Sequence, residues 1–305
     1  MSESFRGIIT IPATPFDEQF EVDWEELRRI LDFCVECGAH GIVWPINVSA
    51  FATLSDEERL KGARVVVEQV AGRIPVVIGA QGVSTAHAVM FSRHAKEVGA
   101  DAVIAMTPYV RKLEDDELIL EYFRGISDAT DLPIFVQNCT VGSVLSVKTE
   151  VQLLQEIEHV EYTKEEITPV TDFLSELLEK APPKLKGVFG ASGGRYLMLE
   201  HPRGMAGQMP ACHMTDVLVH LWNALEAKDL KEAKRTAGLL EPMFVLQSQG
   251  GSNYAEVLRR RGVVKSARQR GIKLHMDEHD NRALDDILKD LEPLFTWHGP
   301  GAKRS

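Results

Sequence analysis

Short apolar runs and amphipathic stretches alternate along the first two-thirds of this chain, and that alternation limits the folds open to it. Residues 6–12 read as a buried strand. Gly41-Ile42-Val43-Trp44, Pro75-Val76-Val77-Ile78-Gly79, Ala102-Val103-Ile104-Ala105-Met106 and Pro133-Ile134-Phe135-Val136-Gln137 read as the next four. A sixth covers 160–163 and ends at Lys164, a seventh covers 185–189, and a weak eighth covers 204–207. Helical patterns separate them. Asp23 caps the first and Gly38 ends it, while Ser55 with Glu58 three residues on is a capping box for the second. Others are read at 84–98, 115–129, 146–155 and 171–179. Strand and helix recur every 25 to 30 residues or roughly so, the pattern of repeated β-α units on a parallel sheet. The strands are continuous apolar runs, as expected where both faces are covered. The expected fold is therefore α/β, a (β/α)8 TIM barrel over residues 1–212. The pattern over 213–298 is helical, at 217–227, 230–247, 254–261 and 283–291, which reads as a C-terminal helical domain. Residues 299–305 read as a frayed tail.

The formal net charge is −11, so nothing points to nucleic acid or an anionic membrane surface. No apolar run approaches the roughly 18 residues of a membrane span, and Met1 to Arg6 lacks the apolar core of a signal peptide. A cytoplasmic protein is expected. Four cysteines do not make a disulfide scaffold, and Cys34 with Cys37 reads as packing within an amphipathic helix. The ten histidines are scattered, and no metal site is expected. Arg259-Arg260-Arg261 reads as a solvated helix end.

In such a barrel the residues just after each strand line the site. Here they include Thr14, Asn47, Ser49, Gln81, Thr107, Tyr109, Gln137, Asn138, Lys164, Glu166 and Gln208. One lysine and one carboxylate stand among neutral hydrogen-bonding groups. A lysine drawn out of water gives up its proton more readily and can attack a ketone as a free amine. The set suits an anionic keto acid attacked by that amine. It does not suit a nucleotide, because neither G-x-G-x-x-G nor a P-loop is present. Lys164 and Glu166 are two apart, so in a regular strand they project to one side, and Glu165 projects away toward the helices or a salt bridge.

The chain resembles the dihydrodipicolinate synthase / N-acetylneuraminate lyase family of Schiff-base lyases. The resemblance rests on Ala13-Thr14-Pro15-Phe16, on residues 51–59 from Phe51 through Ser55 to Arg59, on Gly99-Ala100-Asp101-Ala102 with Thr107-Pro108-Tyr109, and on Thr163-Lys164-Glu165. It implies a barrel with a three-helix C-terminal domain, a homo-oligomer (tetramer or dimer), Lys164 as the Schiff-base lysine, and no metal or organic cofactor. The chain also departs from the family. Where the family grips the substrate carboxylate after strand two, this chain reads Ile46-Asn47-Val48-Ser49-Ala50. Where it has a proton-shuttling tyrosine ending strand five, this chain has Gln137, which has no usable proton. Gly142 aligns with the arginine that synthases carry shortly afterwards.

Those features are similar to the branch of dehydratases acting on 2-keto-3-deoxy-pentonates such as L-2-keto-3-deoxyarabonate. That branch shares the glutamine, an N-x-S loop and a K-x-E pattern, which here is Lys164-Glu165-Glu166. It also carries an acidic pair after strand seven, where this chain has Gly190-Ala191-Ser192-Gly193-Gly194. The resemblance implies a dehydratase of a 2-keto-3-deoxy sugar acid. Lys164 would form the iminium and Glu166 would move the proton. Asn47 and Ser49 would hold the carboxylate, and Thr107, Tyr109, Gln137 and Gln208 would bind the rest. The rivals are a pyruvate-dependent aldolase, a dihydrodipicolinate synthase and a non-catalytic 2-keto-acid binder. Losing general acid–base help costs about 10²- to 10⁴-fold in rate. Condensation of pyruvate with aspartate semialdehyde, followed by coupled assay, is therefore expected to be near background; robust turnover would refute this reading of Gln137 and Gly142.

Overall fold

In the computed structural model, described here over residues 5–248, 254–271, 275–297 and 299, eight parallel strands close into a barrel in sequence order. They are β1 (Gly7–Thr10), β2 (Gly41–Trp44), β3 (Val76–Gly79), β4 (Ala102–Ala105), β5 (Ile134–Asn138), β6 (Val160–Glu165), β7 (Gly187–Gly190) and β8 (Gly207–Gln208). Helices connect them: α1 (Trp24–Glu36), α2 (Asp56–Val70), α3 (Thr85–Glu97), α4 (Asp116–Ala129), α5 (Val147–Glu156), α6 (Val170–Lys180) and the short α7 (Leu197–Glu200). Four more follow the barrel: α8 (Thr215–Glu226), α9 (Leu230–Ser248), α10 (Tyr254–Arg260) and α11 (Glu278–Leu291). The tail read at 299–305 lies, but for Gly299, outside the described residues. No helix among the described residues is long and apolar enough to cross a membrane.

The start signals read from the sequence do what their chemistry requires. Asp23 accepts from Glu26 N, and Ser84 accepts from His87 N. Ser55 and Glu58 close a reciprocal capping box. Several strand ends differ from expectation, β1 and β7 among them, and two of the differences bear on the site. β6 runs two residues further than read, to Glu165, because Glu165 pairs with Asn138 of β5 and with Gly190 of β7. β8 begins only at Gly207, because Gly204 is left-handed at φ 92° and closes the turn over His201–Arg203.

By packing the chain groups into two compact units. One holds the chain up to Ile9 together with Pro75–Met209, and the other holds Thr10–Ile74 together with the chain from Pro210 on. Within the first, an aromatic floor fills the inside of β5, β6 and β7. Phe135 stacks on Tyr162 at 4.4 Å and 12°, Phe5 meets both edge-on, and Phe189 tilts against both. Tyr162 is two residues before Lys164, so the floor lies directly beneath the lysine on the same face.

In the second unit, Arg261 overturns the solvated reading of its cluster. Its side chain is 3% exposed and pairs with Asp216 at 0%. The guanidinium also lies 3.8 Å from the Phe295 ring centroid and 5.0 Å from that of Phe33. A planar fork that meets a carboxylate bidentately and stacks on rings tolerates burial. Cys34 and Cys37 are buried free thiols, and burial pushes both up, so they stay protonated.

Trp44 links β2 to the loop after β1 and to α2. Its ring is fully buried, and its Nε1 donates to Thr14 Oγ1 at 3.1 Å. Gly62 of α2 makes the room, since a Cβ there would stand 2.0 Å from the indole. Gly62→Ala is expected to cost about 1–3 kcal/mol in urea unfolding, the usual range for overpacking. An unchanged midpoint would show that α2 can shift away.

Candidate active site

The inner face of β6 carries the reactive pair. Lys164 is 2% exposed, and its Nζ donates to Glu166 Oε1 at 2.6 Å. Strand alternation puts both side chains on the barrel side, with Glu166 at the rim and 23% exposed. Gln137 of β5 is in register with Lys164 and 1% exposed. Its Nε2 donates to the same Glu166 oxygen at 2.6 Å. Two donors on one carboxylate oxygen fix the orientation of the amide, because turning it would set two acceptors against each other. The other amide atom, Gln137 Oε1, is buried without a partner.

The neighbouring loops brace each other. Thr107 Oγ1 accepts from Ser143 N at 2.6 Å, and Ser143 Oγ accepts from Leu113 N at 2.8 Å. Lys112 Nζ donates to Thr140 O at 2.8 Å. Thr107 is therefore a fastener between the loops after β4 and β5, and Tyr109 is half-buried in the first of them. Gly142 sits in the second. A Cβ there would lie 2.4 Å from Thr107 Oγ1 and 2.9 Å from Thr107 O. In this loop path there is no space for any side chain at 142, let alone an arginine.

In the other unit, Asn47 and Ser49 form a single helical turn after β2. Ser49 is fully buried and its Oγ donates to Pro12 O at 2.7 Å, while its carbonyl accepts from Thr14 Oγ1 at 2.6 Å. Its one hydroxyl proton is thus committed to the loop after β1. Asn47 is half-buried.

Gln208 does not join Lys164. It pairs in the ladder with Gly190, which pairs with Glu165, whereas Lys164 pairs with Phe189. Gln208 therefore projects to the outer side of the sheet, where its Nε2 donates to Glu200 of α7. A Cβ on Gly190 would fall 2.7 Å from a Glu200 oxygen, so the glycine opens the gap that Glu200 fills. No local sequence signal marks Glu200, which ends the four-residue α7 and reaches Gln208 only through the way that helix docks behind β8. Glu165 also faces outward. It accepts from Asn138 Nδ2 at 3.2 Å and lies against Glu150 of α5, not against a cation.

Among the described residues, no three His, Cys, Asp or Glu side chains gather as metal ligands. The sequence does contain one H-x-x-x-H, from His275 to His279, but α11 begins only at Glu278 with Asp277 as its cap. The two histidines are therefore not one turn apart on a helix.

Residues 4–287 match the model of the Dihydrodipicolinate synthetase family. The chain belongs to that family. As a member it is a Schiff-base enzyme of the lyase class. The chain is 28% identical over 294 residues, 95% of either length, to L-2-keto-3-deoxyarabonate dehydratase of Azospirillum brasilense. It is 38% identical over 146 residues to 4-hydroxy-tetrahydrodipicolinate synthase of Gluconacetobacter diazotrophicus, a match covering 48% of this chain and 49% of that one. About half the length of that synthase is thus spanned. Among solved structures, dihydrodipicolinate synthase from Aquifex aeolicus superposes with a TM-score of 0.86 at 26% identity over 95% of this chain and 98% of that one.

Burial pushes the Glu200 carboxyl up to about 7, against the opposing pull of its bond to Gln208. The folded protein keeps this proton to about pH 7, whereas the unfolded chain sheds it near the ordinary glutamate value of 4.5. The group's contribution is complete below 4.5 and lost as the pH climbs through about 7. Glu200→Gln should therefore flatten that part of the pH–stability curve, by up to roughly 3 kcal/mol. Parallel urea titrations of both proteins from pH 4 to 8 would check this; identical curves would mean that Glu200 ionises normally.

Proposed function

We propose that this protein dehydrates a 2-keto-3-deoxy sugar acid through an iminium on Lys164. The observation that carries the reading is the triangle of Lys164, Glu166 and Gln137, closed by two 2.6 Å bonds to one carboxylate oxygen. A single carboxylate touches the amine, and the residue that would be a tyrosine in a synthase is an amide that holds that carboxylate in place. The steps then follow from these groups. Glu166 takes a proton from the Lys164 ammonium, and the free amine adds to the C2 ketone. Glu166 returns that proton to the C2 oxygen, a second proton passes to the same oxygen from the attacking nitrogen, and the oxygen leaves as water to give the iminium. The iminium acidifies C3, and Glu166 takes the C3 proton to form the enamine. The enamine expels the C4 hydroxyl, which takes that proton and leaves as a second water. Hydrolysis of the unsaturated iminium frees Lys164 and a 3,4-unsaturated 2-keto acid.

Gln137 Oε1, buried and unpartnered, gives a reason for hydroxyls on the substrate. A buried acceptor left open is costly until a donor meets it. A sugar-acid hydroxyl supplies one, whereas the bare methyl of pyruvate does not. Tyr109 would orient the far hydroxyls, with Thr107 bracing its loop. Asn47 remains the candidate for the carboxylate on family resemblance, with Ser49 as its support. Gln208 leaves the binding set in favour of an outer-face role with Glu200. The lysine supplies the covalent chemistry, so no metal or organic cofactor is called for. We place the enzyme in the cytoplasm as a homo-oligomer, a dimer or a tetramer.

Borohydride reduction with pyruvate is expected to add the reduced adduct to the peptide carrying Lys164. A panel of 2-keto-3-deoxy acids, read by mass spectrometry, should yield products lighter by one water. Pyruvate released with an aldehyde would instead make the enzyme an aldolase. Glu166→Gln keeps the acceptor for Lys164 and Gln137 but removes the base. Trapping should survive while turnover falls roughly 10²-fold or more. Turnover close to wild type would reduce Glu166 to a structural partner.

A further inference from the structure

We propose that Glu150 and Glu165 form one carboxylic acid–carboxylate pair behind β6, and that this pair positions Lys164 and Glu166 on the strand's other face. Glu150, on α5, is fully buried, and Glu165, the last residue of β6, is 1% exposed. Glu165 Oε2 accepts from Asn138 Nδ2, whereas Glu165 Oε1 and both Glu150 oxygens have no well-formed hydrogen bond, with only the Thr163 hydroxyl and the Asn138 amide as neutral donors close by. The groups facing the pair are Asn138 from β5, and Thr163 and Glu166 from β6. None is a cation. Two adjoining ionised carboxylates with no counter-charge would be untenable out of water. One proton between them removes the conflict and supplies the missing donor. Glu165 has the bond from Asn138 Nδ2 and the Thr163 hydroxyl beside it, more donor support for a charge than Glu150 has, so Glu165 is the acceptor and Glu150 the acid. Desolvation pushes Glu150 well up, and Glu165 up to about 7, in the same order.

The pair does more than fill space, because of where residue 165 lies. Lys164 and Glu166 flank it, and strand alternation means that holding 165 outward holds both of them inward. The Asn138–Glu165 register pair is the last on that side of β6. One step beyond it, Glu166 N donates to Asn138 O at 3.0 Å. Asn138 in turn ties down the loop after β5 through Leu145, with Leu145 N on Oδ1 at 2.9 Å and Nδ2 on Leu145 O at 3.1 Å. A turn of Glu165 toward the barrel would thus move Glu166, Lys164 and that loop together.

The effect on turnover rests on the proposed function, whereas the shared proton does not. Glu150→Gln keeps a donor for Glu165 but has no proton to lose. Urea unfolding at pH 5 and pH 8 tests this point without any substrate. The wild-type midpoint should fall between the two pH values by clearly more than that of Glu150→Gln. Equal falls in the two proteins would overturn the shared proton. Glu150→Leu removes the donor at similar volume. Pyruvate and borohydride should still label Lys164, while kcat drops on the order of 10²-fold with little change in KM, the result of misplacing a base. Glu150→Gln should recover most of that loss. Wild-type kcat in Glu150→Leu would overturn the positioning role. Where Glu150→Leu does not fold, Glu150→Asp serves, since it keeps the acid but withdraws it by one methylene; wild-type kcat there would overturn the role equally. Failure of any keto acid to label wild-type Lys164 counts against the proposed function and leaves the unfolding comparison standing.

Discussion

A lysine 2% exposed inside a barrel must be met by an acceptor, and Glu166 meets Lys164 at 2.6 Å. The surroundings of β6 follow from that contact. A lone buried ammonium would lose its proton or pull the strand apart, whereas a carboxylate two residues on neutralises it without leaving the strand. Gln137 then becomes useful as an amide. It gives the carboxylate a second donor and leaves its own carbonyl facing an open acceptor role. A tyrosine in that position would compete as an acid; an amide can only orient.

The outer side of the same strands is less ordinary. Sheets of this kind normally present aliphatic residues to their helices. Here Asn138, Glu165, Glu150, Gln208 and Glu200 lie buried there in two groups, one behind β6 and one behind β8. Such groups are strongly specific when satisfied and costly when not. Both lie behind strand ends on the barrel's mouth side, opposite the aromatic floor of Phe5, Phe135, Tyr162 and Phe189. Apolar stacking therefore holds the lower half of β5 to β7, and buried carboxyls with amides hold the upper half, where side-chain angles decide chemistry.

The rest of the mouth in this unit is set by loops that fasten one another. Thr107, Ser143 and Gly142 occupy one small volume, so the loops after β4 and β5 move as a pair. The absence of an arginine at 142 is thus part of the loop path itself, and restoring the synthase residue would require a different loop.

Much of this was written into the chain locally. The barrel follows from apolar runs at a steady repeat, because a strand covered on both faces must be apolar throughout. The helix starts follow from Asp23, Ser55 and Ser84, because caps act within four residues. The pairing of Lys164 with Glu166 follows from the period of two. Tertiary structure alone decided what depends on register and on helix packing. Gln208 reads as a mouth residue until its partners Gly190 and Glu165 put it on the other face. Arg261 reads as solvated until Asp216, 45 residues away, comes to it. Glu150 reads as an ordinary first-turn acid of a helix, and only the packing of α5 against β6 makes it a buried partner for Glu165. Sequence spacing carries side-chain direction within one element; which side chains meet across elements is set by ladder register and helix docking, which no local pattern encodes.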